Sequence, residues 1–313
     1  MKIAVMGAGG IGGYVGGRLA EAGEEVHLVA RGRHLKALQA DGLKIESPYG
    51  DVHLPNIHAT GDPATIGVVD IVLFTVKLVD ALSAAEQMLP LIGEHTRIVT
   101  LQNGIDSKSM IGQFVDESKI AAGSIYMAAY IKEPGVIVNP GGAYKLTIDS
   151  LAGDATMQRF FAACDRADVI DVTPTTEGEY TVWHKFIALA AFAGVTAVSR
   201  LPIGAVYERP ETLWLMRELL KENVSIASAM GQPFDESHVE YTVDLFANQP
   251  YEQKSSLLVD LEASKPNEIA WLSGRIHELG KQLGISTPHN STVWAALAPY
   301  RDGPPILHAG LGD

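Results

Sequence analysis

The sequence is short of cysteine, of positive charge and of long apolar runs, and each shortage removes a class of protein. A single cysteine, Cys164, occurs in 313 residues. No intramolecular disulfide can form, and a reducing cytoplasm is the expected setting. The ten histidines are scattered, with no CxxC or HExxH spacing, so no metal site is expected. Lys and Arg number 24 against 37 Asp and Glu, a formal net charge of −13. A chain this acidic suits neither nucleic acid nor an anionic membrane. Any phosphate it binds must be held by a local cluster of donors. The apolar run after Lys2 is too short for a secretory signal. The longest apolar stretch, Phe186 to Val198, is too short to span a bilayer.

What is present is an ordinary globular mixture, 47% apolar and 19% charged, in a length that suits two domains. Residues 2–6 form a short apolar run, as in a buried parallel strand. Gly7-Ala8-Gly9-Gly10-Ile11-Gly12 follows at once, then a helical pattern from Tyr14 to Ala22, then a second strand, Glu25 to Ala30. Strand, glycine turn, helix and strand in this order are the context that the GxGxxG dinucleotide fingerprint requires. Gly7 permits the tight turn, Gly9 lets backbone approach a pyrophosphate, and Gly12 lets the helix lie close to the sheet. The amides at the helix start supply the anion site.

The end of the second strand bears on the choice of dinucleotide. NAD sites usually place an acid there. This chain has Arg31, Gly32, Arg33 and His34. An arginine suits a 2′-phosphate, so NADP(H) is the expected cofactor. Arg33 and His34 can belong to a solvated basic loop, a reading that suits Arg31 less well. Val68 to Val76 ends at Lys77, and Arg97 to Leu101 ends at Gln102-Asn103-Gly104. Ligands of open α/β sheets bind beyond the carboxyl ends of strands, so the glycine loop, Arg31, Lys77 and Asn103 converge on one crevice. Ile120 to Tyr130 and Val136 to Ile148 read as further strands of the sheet. The fold class is therefore α/β: a Rossmann-type dinucleotide-binding domain over 1–174, followed by an all-helical domain over 175–313.

In the second half, Lys185 shares a helical face with Ala188, Leu189, Phe192 and Ala193. Two readings of it are equally open. The ammonium snorkels to solvent over its apolar stem, or it sits partly desolvated with a lowered pKa suited to acid catalysis. Glu211 to Gly231 and Gln253 to Ala263 read as helices. Another is expected to open at Pro266-Asn267-Glu268-Ile269 and run to Gly284, with Asn267 as N-cap. Glu268 is explained by the helix dipole alone, or it is a carboxylate that meets Lys185.

Together these residues resemble the ketopantoate reductase (2-dehydropantoate 2-reductase) family. The matching motifs are the glycine loop, Arg31, Thr75-Val76-Lys77, Leu101-Gln102-Asn103-Gly104, Trp183 and Lys185, Ser255-Ser256 with Asp260, and Glu268-Ile269. The resemblance covers nearly the whole chain. It implies an active site between the two domains, a role in pantothenate biosynthesis, and NADPH as hydride donor to the C2 keto group of a 2-oxo acid. It implies that Arg31 holds the 2′-phosphate, that Lys77 and Asn103 lie near the cofactor and the reacting carbonyl, and that Lys185 is the general acid. Glu268 would orient the substrate or tune the lysine, and Ser256 would bind the substrate carboxylate.

The chain departs from the family pattern where asparagines usually follow the lysine by one and two turns. Here those positions are Leu189 and Ala193. Ala270 replaces an acid, and Asn267 a hydroxyl residue. Losing two amides weakens discrimination for a hydroxylated substrate. This suggests a relative of the enzyme with a more apolar 2-oxo acid as substrate. Two other readings remain: a 2-hydroxy acid dehydrogenase using NAD, and a non-catalytic NADP(H)-binding sensor. A sensor has no need of a general acid. The apolar helices of the second domain allow a homodimer, or they simply complete a core.

Overall fold

The computed structural model describes residues 1–142, 145–168 and 170–305. The chain divides into two compact units, Met1–Val182 and Trp183–Asp313.

In the first unit the strands are β1 (Lys2–Met6), β2 (Glu25–Val29), β3 (Leu43–Glu46), β4 (Val52–Leu54), β5 (His58–Thr60), β6 (Ile71–Phe74), β7 (Arg97–Thr100), β8 (Ile120–Tyr126), β9 (Tyr130–Glu133), β10 (Val136–Val138), β11 (Lys145–Asp149) and β12 (Val172–Thr175). The helices are α1 (Gly10–Glu21), α2 (Gly32–Asp41), α3 (Ala81–Gln87), α4 (Ser107–Ile111) and α5 (Ala155–Arg166). The main sheet has the order β12-β11-β8-β7-β6-β1-β2-β5. It is parallel except where β11 runs against β8. Ile3, Val5, Ile71, Leu73 and Val99 have no accessible surface, as parallel strands covered on both faces require. The chain leaves β1 towards β2 on one side and later adds β6 on the other. A crevice therefore opens where the strand order reverses, beyond the carboxyl ends of β1 and β6.

Three readings of the strands need correction. The run Val68 to Val76 is strand only over Ile71–Phe74. The stretches Ile120 to Tyr130 and Val136 to Ile148 do not simply extend the sheet, although β8 and β11 do; residues 143 and 144 lie outside the described residues. Strands β9 and β10 join β3 and β4 in a separate sheet, ordered β4-β3-β10-β9. All four residues of β9 are exposed, which an interior parallel strand does not tolerate, and Gly135 (φ +84°) turns the chain back between β9 and β10.

In the second unit, a 22-residue helix α6 (Gly178–Ser199) carries the chain across the division between the units. It is followed by α7 (Ile203–Tyr207), α8 (Pro210–Ala229), α9 (Ser237–Ala247), α10 (Ser256–Glu262), α11 (Ser273–Leu283) and α12 (Pro288–Leu297). Helix α6 outruns the apolar stretch Phe186 to Val198. By length and composition alone it could cross a membrane, but 67% of its apolar window is buried inside the protein. At Gly194 it packs against Ser273, Leu219 and Val293, so that α8, α11 and α12 lie on it. The continuous helix expected from Pro266 to Gly284 is broken. A 3-10 turn, Ile269–Trp271, comes first, Leu272 takes φ −114° and ψ −105°, and only then does α11 begin.

Candidate active site

In the first unit the glycine loop is shaped by close approach rather than by flexibility. Gly7 has φ +96°, and a Cβ there would lie 2.8 Å from the Val76 side chain. A Cβ on Gly12 would stand 2.3 Å from the Gly7 carbonyl oxygen, and one on Gly10 would stand 2.0 Å from the Ala129 carbonyl oxygen. Both fall inside van der Waals contact with backbone, so α1 can sit here only without side chains. Gly9 differs: nothing lies within 4 Å of its Cβ position. The Thr75 hydroxyl donates to the Gly7 carbonyl at 2.9 Å, and the Gly7 and Ala8 amides donate to Val29. A cavity of about 200 Å3 opens beside this loop, lined among others by Gly7, Ala8, Gly9, Arg31, His34 and Gln87. Backbone amides at a helix start, a guanidinium and open space above Gly9 fit a dinucleotide phosphate.

Arg31 is the residue before α2. Its side chain is exposed, and Nη2 lies 3.3 Å from Oδ2 of Asp80. Arg33 is exposed. His34 is not part of a solvated loop: it sits in α2, and its Nδ1 accepts from the Gly135 amide at 3.1 Å. Its Nε2 is sealed from solvent without a well-formed hydrogen bond. Burial pushes the imidazole pKa down, and the Ala8 backbone opposes this.

Lys77 and Asn103 follow β6 and β7; Lys77 is exposed and Asn103 half-buried. Between them Gln102, 8% exposed, donates from Nε2 to the Val76 carbonyl at 2.8 Å and accepts from the Thr100 hydroxyl at 3.1 Å. It clamps the two strand ends that carry Lys77 and Asn103. In the sequence Gln102 is only part of the Leu101–Gly104 motif; its burial is a product of the fold.

In the second unit, Lys185 lies in α6 and is half-buried. Loss of hydration pushes its ammonium pKa down to about 8, and the negative charge of Glu268 works against this. The helix around Lys185 is held firmly. Trp183 packs edge-on against Phe186 at 5.7 Å, and the His184 ring lies near Phe234 and Tyr241. Asn223 donates to the Ile187 carbonyl at 2.9 Å. Asn290 in turn donates to Asn223 and to the buried carboxylate of Glu222, which also accepts from the His289 and Asn290 amides at the start of α12. None of this network was visible in the sequence.

Glu268 is half-buried, immediately before the 3-10 turn. Its neighbour Asn267 fixes the segment: Oδ1 accepts from the Ile269 amide at 3.2 Å and Nδ2 donates to the Tyr300 carbonyl at 2.9 Å. Leu189 is partly exposed, whereas Ala193 has no accessible surface. Ser256 is exposed in the first turn of α10. Ser255 is the buried one: it caps α10 through the Leu258 amide and meets the Thr196 hydroxyl at 2.8 Å. A second cavity in this unit, about 560 Å3, is lined by Lys221, Val224, Phe234 and Asp235 among others and includes none of the expected catalytic residues.

A doubly wound sheet with a glycine-rich phosphate loop, followed by a helical unit that carries a depressed lysine beside a glutamate, defines a two-domain, dinucleotide-dependent oxidoreductase. Family models place it further. "Ketopantoate reductase PanE/ApbA" matches residues 3–153, and "Ketopantoate reductase PanE/ApbA C terminal" matches residues 178–301. The 2-dehydropantoate 2-reductase of Pyrococcus horikoshii is 30% identical over 95% of this chain and 96% of its own length. A crystal structure of a PanE/ApbA family ketopantoate reductase from Ralstonia eutropha is 32% identical over 96% of this chain and 98% of that one, with a TM-score of 0.87. D-mandelate dehydrogenase, solved with NADH and anilino(oxo)acetate, shares the fold (TM-score 0.85) at 19% identity over 96% of this chain and 98% of its own. The chain belongs to the ketopantoate reductase family and is an oxidoreductase acting on CH–OH groups.

Proposed function

We propose that the chain reduces the C2 keto group of a small 2-oxo acid to the 2-hydroxy acid with NADPH, in the cytoplasm. The feature that carries this reading is Lys185, half-buried in α6 beside the buried Trp183, Phe186 and Ala188, with its ammonium pushed down to about 8 against the charge of Glu268. A protonated amine of that pKa is a competent general acid at neutral pH. A bound nicotinamide would supply the hydride to C2. Lys185 gives its proton to the carbonyl oxygen as negative charge gathers there. Glu268 favours the charged ammonium and accepts a hydrogen bond from the hydroxyl that forms on the product. Ser256 donates to the substrate carboxylate. Asn103 and Lys77 serve the cofactor and the reacting carbonyl, the loop Gly7–Gly12 the pyrophosphate, and Arg31 the 2′-phosphate.

The substrate we favour has an apolar side chain. Leu189 offers partly exposed hydrocarbon where the family places an amide, and a pocket without that amide gains nothing from a substrate hydroxyl. Ala193, being fully covered, supports this only by leaving no amide. A second reading, a 2-hydroxy acid dehydrogenase using NAD, is favoured by one observation: the guanidinium of Arg31 is engaged by Asp80.

The test follows NADPH oxidation with ketopantoate and with branched and aromatic 2-oxo acids. Higher kcat/KM for the apolar acids is expected. A strong preference for ketopantoate would refute the substrate assignment, and no turnover with any 2-oxo acid would refute the reductase.

A further inference from the structure

The guanidinium of Arg31 faces a carboxylate. Its Nη2 lies 3.3 Å from Asp80 Oδ2, and both side chains are exposed. Asp80 closes the short turn Leu78–Asp80 and stands at the head of α3, without a side-chain cap to that helix. Ala84 and Gln87 of α3 line the same cavity as Arg31 and the glycine loop. Among the described lining residues Arg31 alone carries a permanent positive charge, and Asp80, just before α3, brings a carboxylate to it.

A ribose with a free 2′-hydroxyl can bind without disturbing this pair. A 2′-phosphate cannot. It carries between one and two negative charges near neutral pH, and it needs the guanidinium that Asp80 already contacts. The phosphate must displace the carboxylate or share Arg31 with it, as two anions on one cation. We propose that Asp80 is a selectivity-setting residue that weakens the preference of this site for a 2′-phosphorylated dinucleotide over its unphosphorylated counterpart. The inference rests on Arg31 being the phosphate ligand. Loss of an exposed ion pair together with repulsion between the two anions corresponds to about a tenfold penalty on the phosphorylated cofactor alone. Both groups face solvent, so the penalty fades as salt shortens the screening length.

The experiment measures Kd for NADPH and for NADH, by nucleotide fluorescence, in the full chain and in the variants Asp80→Asn, Arg31→Ala and the two combined. Each is measured at low and high salt. Asn keeps the shape of Asp80 and, with no cap to lose, leaves α3 intact. The expected result is that Asp80→Asn tightens NADPH about tenfold at low salt and less at high salt, with NADH changed less than about twofold. Arg31→Ala should weaken NADPH selectively. If Arg31→Ala weakens NADPH but Asp80→Asn leaves it unchanged, the proposal fails and the reading of Arg31 stands. If Asp80→Asn weakens NADPH, Asp80 orients Arg31 and the proposal is overturned. If Arg31→Ala has no selective effect on NADPH, the reading of Arg31 falls and takes the proposal with it.

Discussion

Replacing Lys185 by methionine should make the protein more stable and abolish most of its chemistry. The ammonium is protonated less readily in the fold than in the unfolded chain, with a pKa of about 8 against an ordinary 10.5. Holding it charged at pH 7 therefore costs stability. Two and a half pH units at 1.36 kcal/mol each set an upper limit of about 3 kcal/mol. The direction follows from linkage: the cost is complete below about pH 8, shrinks as pH rises, and is gone above the unfolded value. Methionine keeps the stem and removes the charge. Thermal unfolding at pH 7 should show a gain of about 1–3 kcal/mol that vanishes above about pH 10.5. In the same variant kcat should fall by about 10²–10⁴, the usual contribution of a positioned acid. In the unmodified chain kcat/KM should fall as pH rises through about 8, because the acid is then deprotonated. Glu268→Gln removes the charge that favours the ammonium, so that limb should move about one pH unit lower. A destabilised Lys185→Met variant, or a basic limb near the ordinary lysine value, would refute the reasoning.

Three further outcomes are expected. Glu222→Ala strips the acceptor from the His289 and Asn290 amides and from the Asn290 side chain, and chemical denaturation should show a loss of about 2–4 kcal/mol, with Glu222→Gln losing less. Gly12→Ala forces a methyl group to within 2.3 Å of the Gly7 carbonyl oxygen; dinucleotide affinity measured by fluorescence should fall at least about tenfold, by displacement of the loop. His34 is held neutral by burial and accepts from the Gly135 amide. Its contribution to stability should be complete above the ordinary histidine value and be lost as pH falls through its own, lower pKa; His34→Gln should flatten that acid slope in a denaturation series.

The sheet that builds the phosphate site was legible because local signals agreed there. An apolar run, a glycine turn and a helical period in succession admit few other folds, and Gly7 and Gly12 occupy places where any Cβ strikes backbone. The second sheet was not legible, because β9 is exposed and β10, its partner, pairs on its other side with β3, about ninety residues earlier in the chain. Lys185 stood out as a cation in an apolar stripe, but the stripe could not say whether the ammonium reaches water. That depended on what covers α6. Glu222, Asn223 and Asn290 look like surface polar residues in sequence; only the packing of α8 and α12 on α6 buries them together. Asp80 was invisible for the same reason, since its meaning comes from Arg31, nearly fifty residues earlier in the chain.

Helix α6 also bears on how the chain is made. It leaves the ribosome ahead of α8, α11 and α12, the helices that will cover it. Synthesis of the remaining hundred or so residues takes roughly 5–20 s at ordinary rates. For that interval a 22-residue apolar segment has the length to enter a bilayer. Lys185 is the eighth of its residues; at the centre of such a segment a lysine raises the cost of insertion by about 2.5–3.5 kcal/mol, and by less towards the ends. The ammonium that suits the segment to donate a proton also weighs against its capture by a membrane before it can fold.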